Sequence, residues 1–230
     1  MTDWTEYGFA LGVFVASHFL PRVGGLRERL IRAFGRRVYF SAYGLLSLAL
    51  LVWVIVAAGR APYVELWPQM LWSRWVPNVL MPLSVVLVTC GSGLSNPFTL
   101  GGKRKAIFDT ANPGFASITR HPLFVALALW AGAHLVPNGD LAHVILFGSF
   151  TVMALAAIPA FDARARRELG PQAASFFAAT SILSLMSLAD RSWLAVNGRA
   201  LVMRAALGLI LWVAALHLHS LVIGVSPFPL

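Results

Sequence analysis

Six histidines are the residues with chemistry to offer in this apolar chain: His18, His121, His134, His143, His217 and His219. A neutral imidazole can ligate a metal, relay protons or hold a hydrogen bond. Keeping such a ring in hydrocarbon is costly, so ionisable groups in a membrane turn to the bundle interior or to a cavity. His121 sits between Arg120 and Pro122, and His134 follows thirteen residues on. On one helix that separation is ~20 Å along the axis and ~140° around it, so the two rings cannot share a metal ion. Each needs a partner from another helix. His217 and His219 are two residues apart and face nearly opposite sides. His143 stands three residues after Asp140, a good helix N-cap, and reads as a capping neighbour. His18, near the end of the first apolar run, reads either as a helix-end histidine bonded to a carbonyl or as a cofactor ligand.

Other chemistries have little to work with. There is no HExxH and no GxSxG, no carboxylate–histidine cluster is expected, and Asp109, Asp140 and Asp162 all fall at the edges of apolar runs. Zinc hydrolysis and Ser-His-Asp catalysis are therefore set aside. The single cysteine, Cys90, excludes an internal disulfide and a multi-cysteine metal site. It reads as a buried packing residue.

The elements that must position these rings follow from composition. Of 230 residues, 58% are hydrophobic and 12% charged, with mean hydropathy +0.74. The charged share is about half that of soluble domains, and several apolar runs approach the ~20 residues needed to cross a bilayer. The expected fold is all-α, a polytopic transmembrane bundle forming a single domain over 1–230, with spans near 4–21, 38–58, 76–94, 122–137, 141–160 and 203–223. The net charge of +9 lies in short loops between these runs, where it sets membrane orientation. That placement argues against nucleic acid and for membrane lipids as partners.

The first loop holds six arginines, Arg22 to Arg37, against Glu28, which makes it cytoplasmic and puts the N-terminus outside. Lys103, Arg104, Lys105 and Arg120 in 95–121, and Arg164, Arg166 and Arg167 in 161–172, then fall inside as well. The loop 59–75, outside by parity, is the exception, with Arg60 and Arg74 against Glu65. The opening MTDWTE has no Lys or Arg, so the first run is expected to remain as a helix rather than be cleaved as a signal. Residues 173–189 are apolar but flanked by basic loops on both sides, which predicts a re-entrant or interfacial segment, or a seventh span if it does cross. Leu26, Leu30, Ala33, Phe34 and Arg37 recur at helical spacing, as in an amphipathic helix lying at the interface. Gly8 and Gly12 form a GxxxG, the pattern of close helix packing. The loop 95–121 reads either as a cover over Arg120 and His121 or as a basic linker.

Depth sorts the histidines. His18 and His121 lie toward the cytoplasmic side, the others toward the outer side. Two imidazoles holding one iron are ~4 Å apart at nitrogen, so His18 with His121, or His134 with His217, are the natural pairs. Arg120 and His121 stand at a helix N-terminus suited to an anionic or phosphate-bearing ligand.

SHFLPR (17–22), RRVYFSAYGLLSL (36–48), ITRHPLFVALALWAGAHLVPNGDLAHVILFG (118–148), FDARARRELG (161–170) and GVSPFP (224–229) resemble the NnrU family of bacterial inner-membrane proteins, associated with nitric oxide and nitrite respiration (denitrification). The resemblance implies a multi-pass inner-membrane protein, with nitrogen-oxide respiration proteins as partners and a homo-oligomer as one possible state. The same family includes the 15-cis-zeta-carotene isomerase, which uses haem b. Its implied haem ligands match His18 and His134, with His121 as the substitute, so a redox or isomerase-type activity is the expectation. ITRHPLF followed by RELGPQAASFFAAT is distantly similar to isoprenylcysteine carboxyl methyltransferases. That likeness would put Arg120 and His121 at S-adenosylmethionine, although Phe124, and Phe176 or Phe177, stand where tyrosines are usual. A non-enzymatic accessory or transport protein is the third reading.

Overall fold

The computed structural model describes residues 4–228, with only the backbone at Arg22. The first three residues of MTDWTE, Pro229 of GVSPFP and the Arg22 side chain therefore lie outside the described residues. Among these residues the fold is all-helical, with one isolated bridge, Glu65 to Asp140, and no strand. The helices are α1 (Trp4–Phe19), α2 (Leu26–Phe34), α3 (Arg36–Arg60), α4 (Trp75–Gly91), α5 (Pro122–Leu135), α6 (Leu141–Leu169), α7 (Ala173–Ala179), α8 (Met186–Ala189) and α9 (Arg191–Ile223).

Four stretches are long and apolar enough to cross a membrane: Arg36–Arg60, Leu71–Gly91, Leu141–Ala179 and Arg191–Ile223. The expectation of six spans goes further than the helix lengths do. α1 has 16 residues and is followed by a bend of 73° into Val23–Phe34. α5 has 14 residues, ~21 Å against a hydrocarbon core of ~30 Å. The segment 173–189 forms no crossing helix of its own: α7, seven residues long, belongs to the stretch Leu141–Ala179, α8 has four residues, and irregular chain joins them.

The chain packs as two compact units. In the first, Met1–Pro68 with Asn138–Leu146, α1 lies along α3. The Phe9 and Trp53 rings meet edge-on at 5.8 Å, and the buried Tyr7 hydroxyl donates to the Ala142 carbonyl at 2.8 Å. Leu66 and Trp67 N–H groups donate to Gly139 O, and Leu141 N–H to Val64 O. A side chain at Gly139 would collide with Trp67, so Asn-Gly-Asp is a turn that only glycine fits. Asp140 then caps α6 as expected: it accepts from the His143 N–H at 3.2 Å, and the His143 ring lies 2.8 Å from its carboxylate. α2 buries none of its residues and leaves Leu26 and Phe34 exposed, as an interfacial helix would.

In the second unit, Gln69–Pro137 with Phe147–Leu230, α4 packs between α5 and α9. Glycines permit the approach. At Gly208 of α9 a Cβ would come within 2.7 Å of Thr89 Oγ1 and 2.9 Å of the Val86 backbone, and at Gly91 it would run into Pro122. The GxxxG of α1 does no such work, because a Cβ at Gly8 or Gly12 meets nothing within 4 Å. Polar groups add the directional contacts that helix packing in lipid needs. Ser84 Oγ donates to the Ala126 carbonyl at 2.8 Å, joining α4 to α5. Arg204 of α9 donates Nη1 to the carbonyls of Thr89, Cys90 and Ser92, at 3.2, 3.1 and 2.7 Å. A cation thus caps the C-terminal end of α4, where the helix dipole favours it.

A buried ion cluster and the remaining histidines

Pro122 opens α5 at its first helical position, where its missing N–H is harmless. The two residues before it are thereby held at the end of the helix, and both are buried: Arg120 is 7% and His121 1% exposed. A buried arginine needs a counter-ion, and α6 supplies it with Asp162. Arg120 donates Nε to Asp162 Oδ1 at 2.8 Å and Nη2 to Oδ2 at 2.5 Å, a bidentate pair. His121 donates Nε2–H to the same Oδ1 at 2.9 Å. Its Nδ1 therefore accepts, and the Thr99 hydroxyl donates to it at 3.2 Å. Burial pushes the His121 pKa below its usual value, only partly offset by the Asp162 carboxylate, and the ring is held neutral.

Three further segments close over this cluster. In the loop after α4, Gly93 N–H donates to Gly101 O and Lys103 N–H to Leu94 O, which brings Asn96 and Thr99 inward. Asn96 Nδ2 donates to the Arg120 carbonyl at 3.2 Å. Of the two readings of 95–121, the cover therefore holds for its first part. The chain around Ser181 pairs with 116–120: Arg120 N–H donates to Ser181 O, Ser181 N–H to Ala116 O and Ser184 N–H to Ile118 O. Phe177 carries the guanidinium groups of Arg120 and Arg166 at 5.0 and 4.0 Å from its ring centre. Phe176 is buried against Phe98 and Phe108, and Phe124 against Phe161. The phenylalanines at the usual tyrosine positions thus have packing partners of their own.

The helix end at Arg120 and His121 suits an anion, and the chain's own Asp162 carboxylate lies there. The structure thus corrects the expectation that no carboxylate–histidine cluster exists. In the sequence Asp162 is one more acid at the edge of an apolar run, with Arg164, Arg166 and Arg167 just after it. The signal that finds it is the pair Arg120–His121 itself, which cannot be buried without an acid at the same depth on a neighbouring helix.

His18 and His134 are held differently. His18 Nδ1 lies 2.8 Å from the Phe14 carbonyl and His134 Nδ1 2.8 Å from the Trp130 carbonyl, each four residues back on its own helix. A carbonyl only accepts, so both rings carry a proton on Nδ1. An imidazole N–H donated to a backbone carbonyl is also how metal-ligating histidines are oriented. The His18 ring packs on Phe14 at 4.6 Å and near Tyr43 at 6.1 Å. His134 stacks on Phe147 at 5.4 Å and lies 5.7 Å from Trp130. His18 belongs to the first unit and His134 to the second. His217 Nδ1 likewise contacts its own helix at the Val213 carbonyl, and His219 Nδ1 meets the Val225 carbonyl. No group of three or more His, Cys, Asp or Glu among the described residues has the arrangement of a metal site.

No curated protein and no solved structure matches the chain. The family model described as NnrU protein matches residues 8–227, nearly the whole chain, and takes in every histidine and the Arg120–His121–Asp162 cluster. The chain belongs to the NnrU family.

Proposed function

We propose that this NnrU protein is a six-span inner-membrane protein, N-terminus outside, that holds haem b through His18 and His134 and serves nitrogen-oxide metabolism. In this topology α1 and the short α5 complete the crossings, and 173–189 lies at the cytoplasmic interface. One observation carries the haem reading: each ring's Nδ1 lies 2.8 Å from a backbone carbonyl of its own helix, the kind of bond that orients a metal-ligating imidazole. The donor set fits haem b, which is held by histidine nitrogen in many proteins. Bound there, haem would supply one-electron redox chemistry if both imidazoles stay, or a Lewis-acidic iron if one leaves. The chain's own part is to orient the rings and to surround them with aromatic side chains that keep the site apolar.

His121 has no nitrogen to spare, since Thr99 and Asp162 occupy both. It is the weaker candidate for a ligand, and Arg120 is a structural cation rather than a cofactor contact. The methyltransferase reading, which needs both residues at the cofactor, has correspondingly less support. The test is the optical spectrum of protein purified from cells supplied with haem. A Soret band is expected in the wild type and in His121→Gln, and is lost in His18→Ala and His134→Ala. Folded protein without a Soret band overturns the reading.

A further inference from the structure

A second feature of the Gln69–Pro137 and Phe147–Leu230 unit takes no part in the ion cluster. A cavity of about 440 Å³ opens between the loop 93–116 and the first four turns of α9. Its α9 wall includes Trp193, Asn197, Leu201 and Arg204, which recur at spacings of four, four and three and so share one helix face. The loop wall includes Lys103 and Asp109. Trp193 Nε1 donates to Gly114 O and Asn197 Nδ2 to Asn112 Oδ1, both at 3.3 Å, so side-chain bonds tie the two walls together.

The charge of this cavity favours an anion. Lys103 and Arg204 face a single carboxylate, Asp109, whose Oδ1 already accepts from the Ala111 N–H. Arg204 spends Nη1 on the three carbonyls at the end of α4. Its Nε and Nη2 have no protein acceptor among the described residues, and those two atoms are the fork that grips a phosphate or carboxylate in two places. Lys103 adds a point charge with no side-chain partner among the described residues.

Depth selects between the anions. α9 has 33 residues, ~50 Å of helix, against a hydrocarbon core of ~30 Å. All charged residues of α9 lie at or before Arg204, and none follows to the end of the chain. The excess length is therefore at its N-terminal end, and the cavity stands on that overhang, in the layer of lipid phosphodiesters. Leu201 and Phe108 give it an apolar side for the rest of such a molecule.

We propose that this cavity binds a phosphate ester, with Arg204 and Lys103 on the phosphate and Leu201 and Phe108 against its carbon part. The ester is either a phospholipid headgroup or a soluble organic phosphate. Two probes separate these sources: sn-glycerol 3-phosphate and dihexanoyl phosphatidylglycerol, each titrated calorimetrically into the full chain in phosphate-free maltoside detergent. Arg204 is left intact because it also caps α4. Binding is expected to weaken about tenfold in Lys103→Gln, the loss of one charge-assisted hydrogen bond, and to tighten in Asp109→Asn. Binding of the lipid alone assigns a headgroup, and binding of glycerol 3-phosphate assigns a soluble ester. Failure of both probes, or affinity indifferent to Lys103→Gln and Asp109→Asn, overturns the proposal.

Discussion

His121 and His134 sit at opposite ends of the same apolar helix and are held in opposite ways. The His121 ring is closed on both sides, with Thr99 at one nitrogen and Asp162 at the other. The His134 ring is anchored at Nδ1 by its own helix and stacked on Phe147 of α6. The first arrangement ties separate segments together; the second fixes a ring without deciding what its Nε2 meets. Burial alone does not separate a structural histidine from a ligand. The identity of the group at each nitrogen does.

That contrast can be broken at several points. The largest effect is expected from Asp162→Ala. It leaves Arg120 and the polar edge of His121 buried with no carboxylate, and breaking a buried pair in this way costs about 3–5 kcal/mol. Thermal unfolding in detergent should show it as a large fall in midpoint, and a fall as small as that of an exposed ion pair such as Arg164–Glu168 would remove the structural role. Gly208→Leu should cost about 1–3 kcal/mol by pushing α9 off Val86 and Thr89, measured the same way.

A pH series sharpens the comparison. His121 is neutral in the folded state with a lowered pKa, so the unfolded chain binds its proton more readily. Its contribution is complete above the unfolded value of about 6.5 and is lost progressively as pH falls below it. Wild type should therefore lose more stability than His121→Gln between pH 7 and pH 5. Parallel curves would mean that His121 is not held neutral. The smallest effect is expected from Gly12→Ala, within about 0.5 kcal/mol of wild type, because a Cβ there meets nothing. A loss of oligomer in that variant, read by light scattering, would assign α1 a contact with a second copy.

The long apolar elements were legible because bilayer thickness imposes a length on them: α3, α6 and α9 cover the expected runs, and α4 covers its run up to Gly91. α5 was drawn longer than it is, since Val136 and Pro137 extend the apolar run without extending the helix. The N-cap role of Asp140 was legible because it stands immediately before α6 and the N–H that it accepts is only three residues on. The link from Arg120 and His121 to Asp162 was not, because it spans 42 and 41 residues and crosses from α5 to α6. Glycine spacing misled in α1 and stayed silent at Gly208, because close approach depends on which face a neighbour reaches, and the linear pattern carries no such information.

The cap that Arg204 places on α4 has a consequence for how the chain is made. The carbonyls of Thr89, Cys90 and Ser92 emerge from the ribosome more than a hundred residues before the guanidinium that satisfies them. Until α9 is in place, that helix end lacks the guanidinium that caps it. A chain truncated before residue 204 would leave it so permanently, and would present quality-control proteases with an unfinished membrane protein.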